Sequence, residues 1–179
     1  MAKYINDIKL NDVDKEWIFT NIKPLMQKDD MIKVREMLQV LKEDLSSAGK
    51  RVQQFILENI GEELYFQKSD EILYEEFAIT GLKNINIPQN IKTINAGAFM
   101  GCPFLNYISI PKTVKHIEAD AFSVCESLQK VKIEDRSDKI IIERNAFDDD
   151  YCEIYAPENT IVIMHADNFD DFKGSIKYY

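Results

Sequence analysis

A period of 23 residues runs through the second half of this chain, from about residue 82 to residue 157, and it constrains the fold more than any other feature. Two apolar residues separated by one position recur once in each period, at Ile85/Ile87, Ile108/Ile110, Val131/Ile133 and Ile154/Ala156. Such alternation is typical of a short strand with one buried face. A fixed period of about 20 to 29 residues with one short strand in each unit predicts a solenoid, in which neighbouring units bury each other's apolar faces.

The period is interrupted once, and the interruption is compensated. Phe99 and Phe122 are 23 residues apart, but Phe147 follows Phe122 by 25, which places a two-residue insertion around Asp135–Lys139. A shortening at Asp148–Tyr151 offsets it, because the next pair of strand residues returns to the regular spacing. We therefore expect the strand register to survive and the phenylalanines to stack as a spine.

The repeat weakens at both ends. Residues 66–87 read as a degenerate first unit, in which Ile72, Phe77 and Leu82 stand where later units have Ile94, Phe99 and Leu105. Residues 157–179 have the length of one more unit but retain few of its characteristic residues, such as Phe169. We expect this last segment to close the far end of the solenoid.

The first 65 residues have helical periodicity and no repeat. A first helix is predicted to begin at Asn11 or Asp12 and to end before Pro24, because proline disfavours helical geometry in the residue before it. A second helix is expected to begin at Asp29 and Asp30 and to be broken by Ser46, Ser47 and Gly49. A third helix is expected to end at Gly61.

Apolar stripes support these later helices. The stripe of the second helix contains Val34, Met37, Leu38, Leu41 and Leu45, and that of the third contains Val52, Phe55, Ile56 and Ile60. The predicted fold class is therefore α+β, with a helical domain at residues 1–65 and a solenoid at residues 66–179. The helical domain is expected to cap the solenoid, since solenoid ends expose apolar surface, and an independent binding role is the alternative.

Charge restricts the kind of partner. The net charge is −9, and residues 70–179 carry 19 Asp/Glu against 11 Lys/Arg. An acidic surface repels phosphate backbones, so we expect no direct nucleic-acid binding, and a protein partner with a basic surface is favoured. The polar N-terminus lacks the apolar core of a signal peptide, and no stretch reaches the roughly 18 apolar residues of a membrane helix. These features predict a cytoplasmic protein that does not contact a membrane.

Two segments of the repeat have the same order of residues, with an Ala-Phe pair and then a cysteine near the end of each. They begin at Ile87-Pro-Gln-Asn-Ile91 and at Ile110-Pro111-Lys-Thr-Val114. They resemble the BspA-like class of leucine-rich repeats over roughly residues 82–157, and Ile154-Tyr-Ala-Pro157 resembles the last strand of such arrays. The resemblance implies a leucine-rich-repeat solenoid, and many proteins of this class are exported surface proteins that bind other proteins.

Alternation along the strands identifies a candidate protein-binding surface. If the paired isoleucines point inward, the intervening residues point outward as two parallel rows. These candidate site residues are Asn84, Asn86, Tyr107, Ser109, Lys130, Lys132, Glu153 and Tyr155. The two tyrosines are the expected anchors, because exposed tyrosines are frequent in interfaces.

No motif predicts catalysis, a cofactor or a metal. His116 is expected to be exposed. Two acidic segments are expected to be solvated turns and not cation sites, because neither has the spacing of a calcium loop. These segments are Asp148–Asp150 and the group of His165, Asp167, Asp170 and Asp171. Cys102 and Cys125 occupy equivalent positions of successive units. Reduced, buried thiols are favoured there and at Cys152, with a disulfide between neighbouring units as the alternative.

The sequence thus predicts a non-enzymatic protein-protein interaction module. Heavy use of Ile, Asn and Lys, whose codons are AT-rich, suggests a bacterial or phage genome and, as a special case, a phage or mobile-element inhibitor of a host protein. The alternative is a structural protein that self-associates.

Overall fold

The chain forms two compact units, Met1–Lys68 and Ser69–Tyr179. The computed structural model describes residues 12–28, 30–40, 46–136, 138–147, 152–164 and 175–179. Within them the first unit is helical and the second is a parallel β-solenoid, which confirms the α+β class. The capping role of the helical unit stays a prediction.

The helical unit consists of short helices. They are α1 (Asp12–Trp17), a π-helical turn (Ile18–Ile22), α2 (Lys23–Gln27), α3 (Met31–Val40), α4 (Ser46–Ile60) and α5 (Glu62–Tyr65). Among the described residues, no helix combines the length and the apolar character needed to cross a membrane.

The predicted end of the first helix before Pro24 is wrong. Helical structure continues through Pro24 to Gln27, by way of a π-helical turn in which the Lys23 N–H donates to the Ile18 carbonyl. Proline has no N–H, and its ring crowds the preceding turn of a regular helix. A wider π-helical turn immediately before the proline accommodates it, as such turns often do where the regular ladder is broken.

The predicted break at Ser46, Ser47 and Gly49 is also wrong, because α4 begins at Ser46 and includes all three residues. Serine is well suited to the start of a helix, and one glycine in a helix costs only about 1 kcal/mol relative to alanine. Burial of the apolar face of α4 outweighs that cost. The face contains Val52, Phe55 and Ile56, all buried, and the half-buried Ile60.

The other helix limits are as expected. Asp30 lies just before α3, and its carboxylate accepts a long hydrogen bond from the Lys33 N–H at 3.4 Å. Gly61 ends α4 with a φ of 83°, and its N–H donates to the Leu57 carbonyl at 2.9 Å. Val34 and Leu38 are buried and Met37 is half-buried, while Asp29, Leu41 and Leu45 lie outside the described residues.

The solenoid has two parallel sheets. Its strands are β1 (Glu71–Ile72), β2 (Thr93–Ile94), β3 (Tyr107–Ile110), β4 (His116–Ile117), β5 (Lys130–Ile133), β6 (Lys139–Ile142), β7 (Glu153–Ala156), β8 (Ile161–Met164) and β9 (Ser175–Tyr178). One sheet has the order β1-β2-β4-β6-β8, and the other has the order β3-β5-β7-β9. From β2 onward, each turn of the chain therefore adds one strand to each sheet.

A column of phenylalanine rings fills the interior between the sheets. Phe77, Phe99, Phe122 and Phe147 are buried, with successive centroids 5.3, 5.0 and 5.0 Å apart and interplanar angles of 17°, 6° and 8°. The rings repeat at nearly the spacing of adjacent strands, which is about 4.8 Å. The predicted spine is confirmed, and the pairing of Ile72 with Ile94 places residues 70–80 in the first turn.

The insertion in the third unit leaves the register intact, as predicted. Ile117 pairs with Ile142, which is 25 residues later, whereas Val131 pairs with Ile154 at the regular 23. The expected compensating segment, Asp148–Tyr151, lies outside the described residues.

One expectation about the ends of the solenoid is wrong. Asn84 and Asn86 are exposed between the buried Ile85 and Ile87, but they belong to no strand, so the four-stranded sheet begins at Tyr107. Asparagine is depleted in strands because its side chain competes for backbone hydrogen bonds. At the other end, residues 157–179 contribute β8 and β9, which extend both sheets by a strand, while Phe169 lies outside the described residues.

Left-handed backbone recurs at equivalent positions of the turns. Ile79, Gly101 and Val124 have φ values of 57°, 68° and 56°, and the N–H groups of Ile79 and Gly101 donate to the next turn at 2.7 and 2.8 Å. Glycine adopts this conformation readily, whereas a β-branched residue there is strained. The interlocking of successive turns therefore imposes strain at Ile79 and Val124.

Replacing Val124 with glycine should stabilise the protein. The left-handed conformation costs an L-residue about 1–2 kcal/mol, and glycine removes this strain from the folded state. Glycine also gives the unfolded chain more conformational freedom, which lowers the free energy of unfolding by about 0.5–1 kcal/mol. Since the Val124 side chain is 53% exposed, little packing is lost. We expect a gain of roughly 0.5–1 kcal/mol in urea unfolding. Val124→Ala is the control, because it keeps the Cβ and should gain less stability. A Val124→Gly variant that is less stable than wild type would contradict the proposed strain at this position.

Candidate protein-binding surface

The outward side of the four-stranded sheet carries two rows of side chains in strand register. Tyr107, Lys130 and Glu153 align in the first row, and Ser109, Lys132, Tyr155 and Lys177 align in the second. We call these seven residues the tyrosine–lysine face. Six of the eight candidate residues from the sequence belong to it, while Asn84 and Asn86 precede the sheet. Their role in binding stays a prediction.

Tyr155 is held at the centre of this face by groups from neighbouring strands. The Lys130 Nζ lies 4.2 Å from the centroid of the Tyr155 ring, and the Lys177 Nζ lies 5.6 Å from it. The Tyr155 hydroxyl donates to Glu153 Oε2 at 2.7 Å, and Lys177 donates to the other carboxylate oxygen of Glu153. A cation near a ring face is attracted by its quadrupole, so the half-buried ring is positioned before any partner binds.

The end of the chain adds a second lysine–tyrosine contact. The Lys132 Nζ lies 5.8 Å from the Tyr179 ring centroid, and the Tyr179 hydroxyl donates to the Ile133 carbonyl at 2.9 Å. Sequence reasoning missed Lys177 and Tyr179. A spacing of 22 residues, which relates Tyr155 to Lys177 and Ile154 to Ile176, was the signal that could have identified this last strand.

A family comparison agrees with this geometry. The model for the BspA-type leucine-rich repeat region matches six copies over residues 70–175. The chain belongs to the BspA-type leucine-rich repeat family. No curated protein and no solved structure matches the chain significantly. Leucine-rich repeats generally mediate protein–protein interaction, and the family is typically non-enzymatic.

The BspA-type region is longer than the segment in which the 23-residue period is clear, residues 82–157. It includes the degenerate first unit and most of the final segment. In both segments the backbone keeps the register of the solenoid although few repeat residues remain, as the pairings of β1 with β2 and of β7 with β9 demonstrate.

His116, one of the two histidines of the chain, has a structural partner in the BspA-type repeats. His116 Nε2 lies 2.6 Å from Glu143 Oε1, and this histidine is half-buried instead of exposed as expected, because β6 places the carboxylate beside it. Among the described residues, no group of three or more His, Cys, Asp or Glu side chains could hold a metal. The acidic turns at 148–150 and around His165 lie outside those residues.

The three cysteines are buried. The Cys102 Sγ donates to the Phe77 carbonyl and the Cys125 Sγ to the Phe99 carbonyl, each at 3.2 Å. Each thiol thus joins its own turn to the preceding one. Burial and this hydrogen bonding give the cysteines a structural role and no access to a substrate.

Titration of Glu153 should report the arrangement around Tyr155. The hydrogen bond from Lys177, and after it the one from Tyr155, lowers the pKa of the Glu153 carboxyl group. A pKa lowered by folding favours the folded state at pH values above the ordinary glutamate range, and this contribution disappears as the pH falls through the lowered pKa. Lys177→Met removes the main cause, so we expect the pKa of Glu153 to rise, measured by carbon-13 NMR of its carboxyl carbon.

The matched control is Lys83→Met, which removes an exposed lysine outside the sheet and should leave the Glu153 titration unchanged. An equal pKa of Glu153 in wild type and Lys177→Met would contradict the contact between β7 and β9 side chains.

Proposed function

We propose that this chain is a non-enzymatic protein-binding module and that the tyrosine–lysine face is its contact surface. The observation that supports this most is the fixed position of Tyr155, whose ring lies near two lysine ammonium groups and whose hydroxyl is bound to Glu153. Binding loses free energy when rotatable side chains are ordered, and a ring that is already fixed reduces that loss.

The size of the face sets a requirement on the partner. Four strands spaced about 4.8 Å apart, each with two or three outward residues, present only a few hundred square ångströms, whereas a standard interface buries about 800 Å² on each side. The partner must therefore also contact surface beside the sheet. Exposed aromatic residues near the end of the last strand, Tyr178 and Tyr179, are available for this.

Charge suggests two properties of the partner. The excess of acidic residues from 70 to 179 supports a protein with a basic surface, since opposite potentials accelerate encounter. The face itself carries three lysines and one glutamate, so we propose that the contacting segment of that protein presents a carboxylate to Lys130 or Lys177.

We propose a cytoplasmic site of action and, as a special case, inhibition of a host protein by a phage or mobile-element product. Three buried cysteines without a disulfide are the usual state in a reducing compartment. The abundance of Ile, Asn and Lys supports an AT-rich bacterial or phage genome.

The double substitution Tyr107→Ser and Tyr155→Ser tests the contact surface. A partner is first isolated from host lysate with the wild-type chain and purified, and its affinity for wild type and variant is then measured by calorimetry. Truncating a tyrosine that anchors an interface costs about 2 kcal/mol or more, so we expect binding to weaken by about tenfold or more.

Tyr74→Ser is the matched control, because Tyr74 is exposed and follows β1 in the other sheet. It should leave the affinity unchanged. If the double variant folds and binds as tightly as wild type, the tyrosine–lysine face is not the site.

Self-association is a second candidate, favoured by β8. This strand is the last of its sheet in the described part of the chain, and Ile161 and Ile163 on it are 61% and 38% exposed. An edge strand with exposed apolar side chains is a template for pairing with another copy.

Light scattering separates the two candidates. If β8 mediates assembly, wild type at tens of micromolar should exceed the monomer mass of 20.8 kDa, and Ile161→Lys with Ile163→Lys should restore that mass. A wild-type protein that is monomeric at these concentrations would exclude the structural role.

A further inference from the structure

A cleft lies where the insertion interrupts the repeat, on a different part of the solenoid from the tyrosine–lysine face. Its volume is about 650 Å³, and four cationic residues line it: Lys92, Lys112, Lys115 and Arg136. Sites for small molecules typically have volumes of about 300–1,000 Å³. The volume is therefore that of a small-ligand site, and its lining is polar and charged.

Residues of the insertion contribute to the lining of the cleft. In the regular units a tight turn follows the strand, with the Ile91 N–H donating to the Pro88 carbonyl and the Val114 N–H to the Pro111 carbonyl, each at 3.1 Å. The inserted segment places Arg136 against the side of the preceding turn. A groove remains between the two segments.

Arg136 is fixed in the wall of the cleft. Its side chain is only 1% exposed, and it donates to the Val114 carbonyl at 2.6 Å, to the Lys139 carbonyl at 3.2 Å and to Asp138 Oδ1 at 2.8 Å. Burial lowers the pKa of this guanidinium group, because desolvation disfavours its charged form. Its position is set without any ligand.

Carboxylates in the cleft do not balance the cations. Asp135 and Asp138 are the two acidic residues that line it, against four cations, in a protein whose net charge is −9. Asp138 is shared, because both Lys115 and Arg136 form ion pairs with it. The lining therefore keeps an excess of two positive charges.

Two of the lysines are available to a ligand. Lys112 is exposed and has no hydrogen-bond or ion-pair partner among the described residues. Lys92 forms an ion pair with Asp70 at 3.2 Å, and both side chains are about two-thirds exposed. Such exposed pairs contribute little to the free energy of folding. Both ammonium groups can therefore turn to an anion at small cost.

We propose that this cleft binds a small molecule that carries two adjacent phosphate groups. Phosphate oxygens accept several charge-assisted hydrogen bonds at once, which suits the two available lysines, Lys92 and Lys112. The buried guanidinium of Arg136 adds positive charge behind them without donating to the ligand. A long polyanion would be repelled by the net negative charge of the protein, whereas a compact ligand contacts only the lining of the cleft, in which cations are in excess. The ligand is thus a diphosphate, either free or as part of a nucleotide.

Calorimetric titration of the full chain with sodium pyrophosphate tests this, with sodium chloride at equal ionic strength as the reference. We expect saturable binding of one pyrophosphate per chain. Lys112→Gln should weaken it about tenfold, the loss expected for one hydrogen bond to a charged group, and should leave the melting temperature unchanged. Asp135→Asn should tighten it about threefold, the effect of one unit charge roughly 6 Å away in water.

A control variant and a second probe sharpen the result. Lys83→Gln removes an exposed lysine outside the cleft and should bind like wild type. Adenosine diphosphate that binds as tightly as pyrophosphate would identify a free diphosphate as the ligand class, and tighter binding would identify a nucleotide. Absence of saturable pyrophosphate binding, an equal response to chloride, or unchanged affinity in Lys112→Gln would overturn the proposal.

Discussion

Every part of the solenoid depends on one distance, the spacing of about 4.8 Å between hydrogen-bonded strands. Each residue in one turn lies directly over its equivalent in the next, so an interior position must accept the same side chain stacked on itself. Phenylalanine satisfies this with centroids 5.0–5.3 Å apart, and cysteine does so by donating its thiol hydrogen to the previous turn. The repeated residues are therefore those whose shape or hydrogen bonding fits that spacing.

The same register produces the surface chemistry. Residues 22 or 23 positions apart in the chain become partners on adjacent strands, and residues one pair further along become diagonal neighbours. Lys130, Tyr155 and Lys177 therefore form one cluster. Each contributes a different part of the interaction, since the ring supplies the negative face and the two lysines supply the cations. A flat, rigid array of this kind suits recognition of another surface more than enclosure of a substrate.

The interior and the rows of the sheet could be predicted from the period because they are set by local alternation and strand spacing. The errors arose where a local preference lost to a non-local interaction. Pro24 did not end its helix because a π-helical turn precedes it, and Gly49 did not break one because α4 buries an apolar face. At Asn84 the reverse holds, because low strand propensity prevailed although Ile85 beside it is buried. The burial of Arg136 was not predicted, since hydrophobic patterning assigns arginine to the surface.

The distribution of charge explains how an acidic protein can present cationic sites. Beyond a Debye length of about 8 Å at physiological salt, an approaching molecule is largely screened from the protein and is affected only by what remains of its net negative charge. Within that length it responds to the individual lysines of the face or of the cleft. A partner must therefore combine an overall charge that is not repelled with a local group that suits lysine. The proposed basic protein that presents a carboxylate meets both conditions at the sheet, and the proposed diphosphate meets the second of them at Lys112 of the cleft.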